Sequence, residues 1–146
     1  MQTRLATPAD KDQILALFDD FSAMLNTTDS PSQIGGPILD EILVRPDTHV
    51  FVAEEGCRLL GLVTFFLLPN VRHGFHRGHI EDFFVSTAAR REGVATALFQ
   101  AVTDYCRSHG ITVIKLDSGN DLTGAHAFYE SVGGRSTERF FRFDLD

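Results

Sequence analysis

Residues 79–116 constrain this chain more than any other stretch. The segment His79-Ile80-Glu81-Asp82-Phe83-Phe84-Val85 has the character of a strand and runs into a short polar turn. A helix follows over residues 92–108, with Val94, Leu98, Ala101, Val102 and Tyr105 recurring on one face and Gly110 as its stop. Ile111-Thr112-Val113-Ile114-Lys115-Leu116 then reads as a second strand. A strand, a helix of that length and a strand make a βαβ unit, whose two strands lie parallel. Any fold of this chain must therefore contain a sheet with a parallel step.

The flanking segments supply the rest of that sheet. Residues 2–6 suit a short strand, and Thr7-Pro8-Ala9-Asp10 is a helix start, with Thr7 as N-cap, Pro8 at the first position and Asp10 facing the dipole. Ile14, Leu17, Phe18, Phe21, Met24 and Leu25 follow at helical spacing. Residues 26–36 are polar and turn-rich, and a short helix is expected over residues 37–44. Strands over residues 49–54 and 59–68 flank Glu55-Gly56, a hairpin signal. Residues 71–78 read as a loop before the strand at 79–85. A last helix carries Leu122, Ala125, Phe128, Tyr129 and Val132 on one face and closes at Gly133-Gly134, and a Phe-rich strand is expected over residues 137–145. The order is β-α-α-β-β-β-α-β-α-β, an α/β (α+β) arrangement around a mixed sheet.

Composition bounds what such a sheet can serve. The 146 residues suit one domain, 1–146, with ~68% of the unfolded surface buried at this length. A net charge of −7 and a pI of about 5.2 argue against a nucleic-acid or anionic-membrane binder and are compatible with a cationic substrate. Cys57 and Cys106 lie far apart and outside any paired motif, which suits reduced thiols in a cytoplasmic protein. No apolar h-region follows Met1, and the longest apolar run, residues 59–69, is broken by Gly61 and Thr64 and is too short to cross a bilayer. A soluble, cytoplasmic chain is the expectation.

The mouth of the central helix is the first candidate site. Arg90-Arg91-Glu92-Gly93-Val94-Ala95 fits R-x-x-G-x-A where a helix begins. The first backbone N–H groups there have no intrahelical acceptor, Gly93 holds no side chain against a ligand, and the arginines add positive charge. Residues 90–96 can therefore hold a pyrophosphate, although a basic capped surface helix would carry the same pattern. Neither G-x-x-x-x-G-K-[ST] nor G-x-G-x-x-G is present, which leaves a generic nucleotide site without its motif.

The block from Ile80 to Leu98, followed one strand later by Ala125-His126-Ala127-Phe128-Tyr129-Glu130, resembles the GNAT superfamily of acyl-CoA-dependent N-acyltransferases. Its signature Q/R-x-x-G-x-G/A is met by Arg90, Gly93 and Ala95. The resemblance implies a mixed sheet splayed to admit coenzyme A. It also implies that acetyl-CoA is the co-substrate, that no metal is needed, and that a primary amine is the acceptor. Arg90, Arg91, Gly93, Val94, Ala95 and Thr96 would hold the pyrophosphate, and the backbone of Phe83, Phe84 and Val85 would line the pantetheine arm. Phe128 would pack beside the cofactor, with Asn120 as a further contact. Tyr129 matches the tyrosine that protonates the leaving thiolate. Thr87 stands where proline is common in the family, and Gly133-Gly134 replaces its usual Gly-Phe.

An amine near pKa 10.4 needs roughly 4–5 kcal/mol to reach its neutral, nucleophilic form at pH 7, so a base helps. Glu81 and Asp82 are the carboxylates on the strand. Strict alternation groups Glu81 with Phe83 and Val85, and Asp82 with Ile80 and Phe84, whereas a bulge would shift that phase. Glu81 is the favoured base, against a purely structural pairing with Arg77 or Arg72. His73, His76 and His79 lie on the expected loop and the start of the strand it leads into, where a spacing of three fixes no common face, so they line the acceptor side or face water rather than bind metal. Direct transfer to a small amine is the expected activity. The alternatives are a non-catalytic CoA-binding module and a protein acetyltransferase acting on lysines or N-termini. The Phe-rich C-terminal strand would suit a homodimer.

Overall fold

The antiparallel half of the sheet forms where alternation and turn chemistry coincide. The computed structural model describes residues 1–146. Strands β1 (Gln2–Leu5), β2 (Thr48–Glu55), β3 (Arg58–Asn70) and β4 (Phe75–Val85) pair antiparallel in sequence order, and β5 (Ile114–Lys115) adds to β4 in parallel. The β2–β3 turn carries Gly56 at φ 60°, a left-handed conformation that an L-residue adopts only with strain. Helices α1 (Lys11–Met24), α2 (Pro31–Ile34) and α3 (Gly36–Val44) precede β2, and α4 (Val94–Ser108) makes the crossover to β5. By contact density the chain divides into two units, Met1–Lys115, which holds the whole sheet, and Leu116–Asp146, which holds α5 (Thr123–Ser131).

In the first unit, the two-residue period of the strands sorts side chains to two faces. One face packs on α1 and α3: Val50, Val52, Leu59, Leu62 and Phe84 form a buried cluster with Ile14, Leu15, Leu17 and Leu39. Fully burying each of these apolar side chains contributes about 1.5–3 kcal/mol. On the other face, Phe51 and Phe65 set their rings edge-on against Tyr105 of α4 at centroid distances of 5.7 and 5.9 Å. Leu98 and Val102 of that helix are fully buried. Close approach of α4 is possible because Gly61 has no side chain. A Cβ there would stand 2.7 Å from the Phe84 carbonyl oxygen and 3.2 Å from Leu98 Cδ1.

Several boundaries depart from expectation. Strand β4 begins at Phe75, so the loop is only residues 71–74, with Gly74 at φ 69°. Gly78, read as a loop residue, sits inside the strand because the Phe65 ring occupies its side-chain space; a Cβ would lie 2.5 Å from Phe65 Cε2. Strand β5 is two residues rather than six. Its approach is still tied down, since the Gly78 N–H donates to the Val113 carbonyl at 2.9 Å. Helix α2 adds one turn within the expected loop. Residues 137–145 form no strand. Phe140, Phe141, Phe143 and Leu145 stand 69–92% exposed, so that segment gains neither the ladder nor the burial that makes a strand stable.

Candidate active site

The strand that was expected to carry the chemistry contains the predicted complication. Thr64 pairs with Asp82 and Phe65 with Ile80, so Glu81 is the extra residue of a β-bulge. The bulge breaks strict alternation. Ile80 faces α4 with Phe65, whereas Asp82 joins Phe84 on the α1 face, where Phe84 stacks on Phe21 with centroids 5.0 Å apart. The grouping of Asp82 with Ile80 is therefore corrected, because one inserted residue reverses the phase upstream of it.

The two carboxylates have different surroundings. Asp82 is tied to Thr64 in both directions: the Thr64 hydroxyl donates to Asp82 Oδ2 at 2.6 Å, and the Asp82 N–H donates to Thr64 Oγ1 at 2.9 Å. Burial pushes the Asp82 carboxyl above its ordinary value; the Thr64 hydrogen bond opposes this, as does His79 more weakly, while the neighbouring Glu81 adds to it. Glu81 is 60% exposed and its Oε2 lies 3.0 Å from His79 Nε2. Neither Arg77 nor Arg72 pairs with Glu81; Arg72 instead lies 3.1 Å from His73 Nε2. An ionised Glu81 can only accept, so in this pair Nε2 of His79 carries the proton and donates.

Beyond the bulge, β4 changes neighbours. Phe83, Phe84 and Val85 pair with Val63, Leu62 and Gly61 of β3, but pairing with β5 stops at Gly78↔Ile114 and His79↔Lys115. The sheet thus parts between β4 and β5 just upstream of Glu81. That edge leads through a single turn at Thr87–Ala89 to the mouth of α4, where Arg91 (φ 65°) and Gly93 (φ 78°) both take left-handed conformations. Nothing lies within 4 Å of where a Gly93 Cβ would be, so the backbone is open to close approach. Ala97 N–H bonds the Gly93 carbonyl at 3.0 Å, which leaves the N–H groups of Val94, Ala95 and Thr96 in the first turn, where helix geometry provides no acceptor. Arg90 reaches back to α1, its Nη2 2.8 Å from Met24 Sδ. These residues fit a pyrophosphate group.

The second unit holds Asn120, Phe128 and Tyr129. The Phe128 and Tyr129 rings meet edge to face at 5.7 Å, and burial pushes the Tyr129 phenol above its ordinary value. Helix α5 ends in a complete Schellman motif, with Gly133 N–H on the Glu130 carbonyl at 3.0 Å and Gly134 N–H on the Tyr129 carbonyl at 2.8 Å. Both glycines are required there. Gly133 has φ 96°, and a Cβ on Gly134 would stand 2.8 Å from the Tyr129 carbonyl oxygen. The departure from Gly-Phe is thus a capping feature beside Tyr129.

The remaining candidates are dispersed. His73 stacks on Phe75 with centroids 5.5 Å apart, His76 pairs with Pro69 across the hairpin, and no group of three or more His, Cys, Asp or Glu side chains is arranged to hold a metal. Both cysteines are free; Cys57 is exposed, while burial pushes the Cys106 thiol up to about 11. No helix is long and apolar enough to cross a membrane.

The mixed sheet that parts beside a glycine-bearing helix mouth agrees with the family that the sequence matches. The chain belongs to the acetyltransferase (GNAT) family, whose model matches residues 14–134 and whose co-substrate is acetyl-CoA. It is 34% identical over 99 residues to a glucosamine 6-phosphate N-acetyltransferase of Trypanosoma brucei brucei, covering 67% of this chain and 65% of that protein. It is 32% identical over 97 residues to N-alpha-acetyltransferase 30 of Schizosaccharomyces pombe, covering 66% and 63%. The chain thus spans less than two thirds of the length of these curated relatives. Among solved structures, a probable acetyltransferase superposes with a TM-score of 0.86 at 24% identity, covering 100% of this chain and 97% of the other. That likeness extends the shared fold over the full chain.

Proposed function

We propose that this chain transfers the acetyl group of acetyl-CoA to the primary amine of a small molecule by direct attack. The single observation that carries the reading is continuity along β4. A bulged carboxylate, a strand edge free of β5 and an open, basic helix mouth follow one another without interruption. Acetyl-CoA, when bound, supplies an activated thioester. Arg90, Arg91 and the first-turn N–H groups of Val94, Ala95 and Thr96 hold its pyrophosphate, Gly93 gives the backbone clearance, and Phe83, Phe84 and Val85 offer the strand edge.

Glu81 takes the proton from the attacking amine. Its exposure and its bond to His79 support that role, whereas the Asp82 carboxylate is already engaged by Thr64. Tyr129 returns a proton to the departing thiolate, and Phe128 and Asn120 contact the cofactor; these assignments rest on the family motif. A phenol pushed upward stays protonated at neutral pH and so keeps a proton to give. Neither cysteine belongs to this machinery, which agrees with a transfer that forms no acyl-enzyme. The likeness to an N-alpha-acetyltransferase supports a second reading, in which the amine is a protein N-terminus.

The deciding experiment is a panel of small amines and N-terminal peptides with acetyl-CoA, following release of the CoA thiol. Turnover of small amines is expected. Bound acetyl-CoA with no turnover of any acceptor would leave only a CoA-binding module. Replacing Arg90 and Arg91 together by Ala should raise the acetyl-CoA Kd ~10-fold or more, and an unchanged Kd would remove the pyrophosphate assignment.

A further inference from the structure

Upstream of the bulge, β4 places two buried polar atoms that the fold does not use. Arg77 Nη1 and His79 Nδ1 are both shielded from solvent, and neither has a hydrogen-bond partner. Buried polar atoms in folded proteins are nearly always paired, so two on one strand call for a reason. Arg77 and His79 are two positions apart on a regular part of β4, so their side chains share a face. Their cross-strand neighbours Leu68 and Phe66 give that face an apolar floor, which strengthens any charge interaction made above it. His79 also bonds Glu81 through Nε2, and this links the unused atoms to the proposed base.

The chemistry of the atoms selects the ligand. A guanidinium has only donors and keeps its charge, so its missing partner is an acceptor, and an anion is the acceptor that also balances the charge. With Nε2 of His79 engaged by Glu81, its Nδ1 is the second atom left for a ligand, beside the proposed base. We infer that the acceptor is a small amine that also carries an anionic group, a carboxylate or a phosphate, which docks on Arg77 while the amine lies beside Glu81 and His79. The inference rests on the reading of Glu81 as the base. It excludes simple diamines and polyamines as preferred acceptors, because these would set a second cation against Arg77.

The test uses matched pairs of acceptors that differ by the anion alone. Glucosamine 6-phosphate against glucosamine reports a phosphate, and lysine against cadaverine reports a carboxylate. Steady-state turnover and equilibrium binding are measured for both pairs with the wild-type chain, Arg77→Gln and Arg77→Lys. The anionic member of at least one pair should exceed its partner lacking the anion ~10- to 100-fold in kcat/KM, carried by KM. Arg77→Gln should bring that ratio to within ~3-fold by raising the KM of the anionic member without changing its kcat, and Arg77→Lys should keep part of it. Equal wild-type values across both pairs, or a ratio that survives Arg77→Gln in a folded variant, would overturn the inference and leave acetyl transfer standing. Absence of turnover throughout would instead remove the acetyl-transfer reading, and the binding ratios would then decide the role of Arg77 alone.

Discussion

Two arginines of the same sheet have opposite fates. Arg4, on β1, spends its guanidinium on a closed network. It is bidentate to Asp10 at 2.8 and 2.8 Å and reaches Glu54 at 2.7 Å, while the Thr7 N–H donates to the same Asp10 carboxylate at 2.7 Å. Arg77, on β4, buries an Nη1 that nothing in the fold accepts. A saturated network fixes the first turn of the chain to the sheet, and an unsaturated one waits for a ligand. The difference teaches how to separate a structural ion cluster from a functional one: by counting the hydrogen bonds left over, not the charges present.

The largest effect expected from the comparison lies in the open cluster. Glu81→Gln should lower kcat ~10²- to 10³-fold at pH 7 with the melting temperature unchanged. A rate within ~3-fold of wild type would move the base elsewhere, with Asp82 the next carboxylate on the strand. The closed cluster should behave in the reverse manner. Arg4→Ala leaves a buried Asp10 carboxylate without its cation, and a loss of about 3 kcal/mol is expected by chemical denaturation, with kcat of the remaining folded enzyme unaltered. Its pH dependence has a definite sign. Asp10 is held at about 2, below the ordinary 3.8, chiefly by hydrogen bonds from Arg4. The fold favours the ionised form, so this contribution is complete above pH ~4 and is lost as pH falls toward 2. Acid titration of Arg4→Ala should lack that component. The smallest effect belongs to Arg77→Ala, which removes an unpaired donor and should shift stability by less than ~0.5 kcal/mol. A large loss there would mean that Arg77 is structural after all.

The parts of this molecule that were legible in the sequence are those where local chemistry and tertiary need agree. The βαβ step, the hairpin at Gly56 and the Thr7-Pro8-Ala9-Asp10 helix start all combine a turn signal with a periodic flank. Even there, Asp10 proved to be the partner of Arg4 rather than a mere dipole complement. The start of β4 was hidden because Gly78 punctuates like a loop residue, whereas its role is to vacate space for Phe65, a contact between residues far apart in sequence. The helix mouth around Gly93 was readable, since its requirement for a bare, left-handed backbone is written in one residue type. The phase of Glu81 and Asp82 was not, because a bulge has no compositional mark here. In the sequence Arg77 is only one of two alternative partners for Glu81; its burial without a partner, which no residue pattern marks, separates it from an ordinary surface cation. The Phe-rich terminal segment had strand propensity without a ladder to join, and propensity alone did not make it a strand.

The brief pairing of β4 with β5 has a consequence for how this chain behaves between turnovers. From Ile80 to Val85 the strand has β3 on one side only, so its other side presents the backbone edge on which another chain could add as a strand. Under the proposed binding, acetyl-CoA or CoA at a hundred times its Kd would cover that edge and add about 2.7 kcal/mol to stability. The cofactor is then a chaperone as well as a reagent, and purified protein stripped of it should be the more aggregation-prone form.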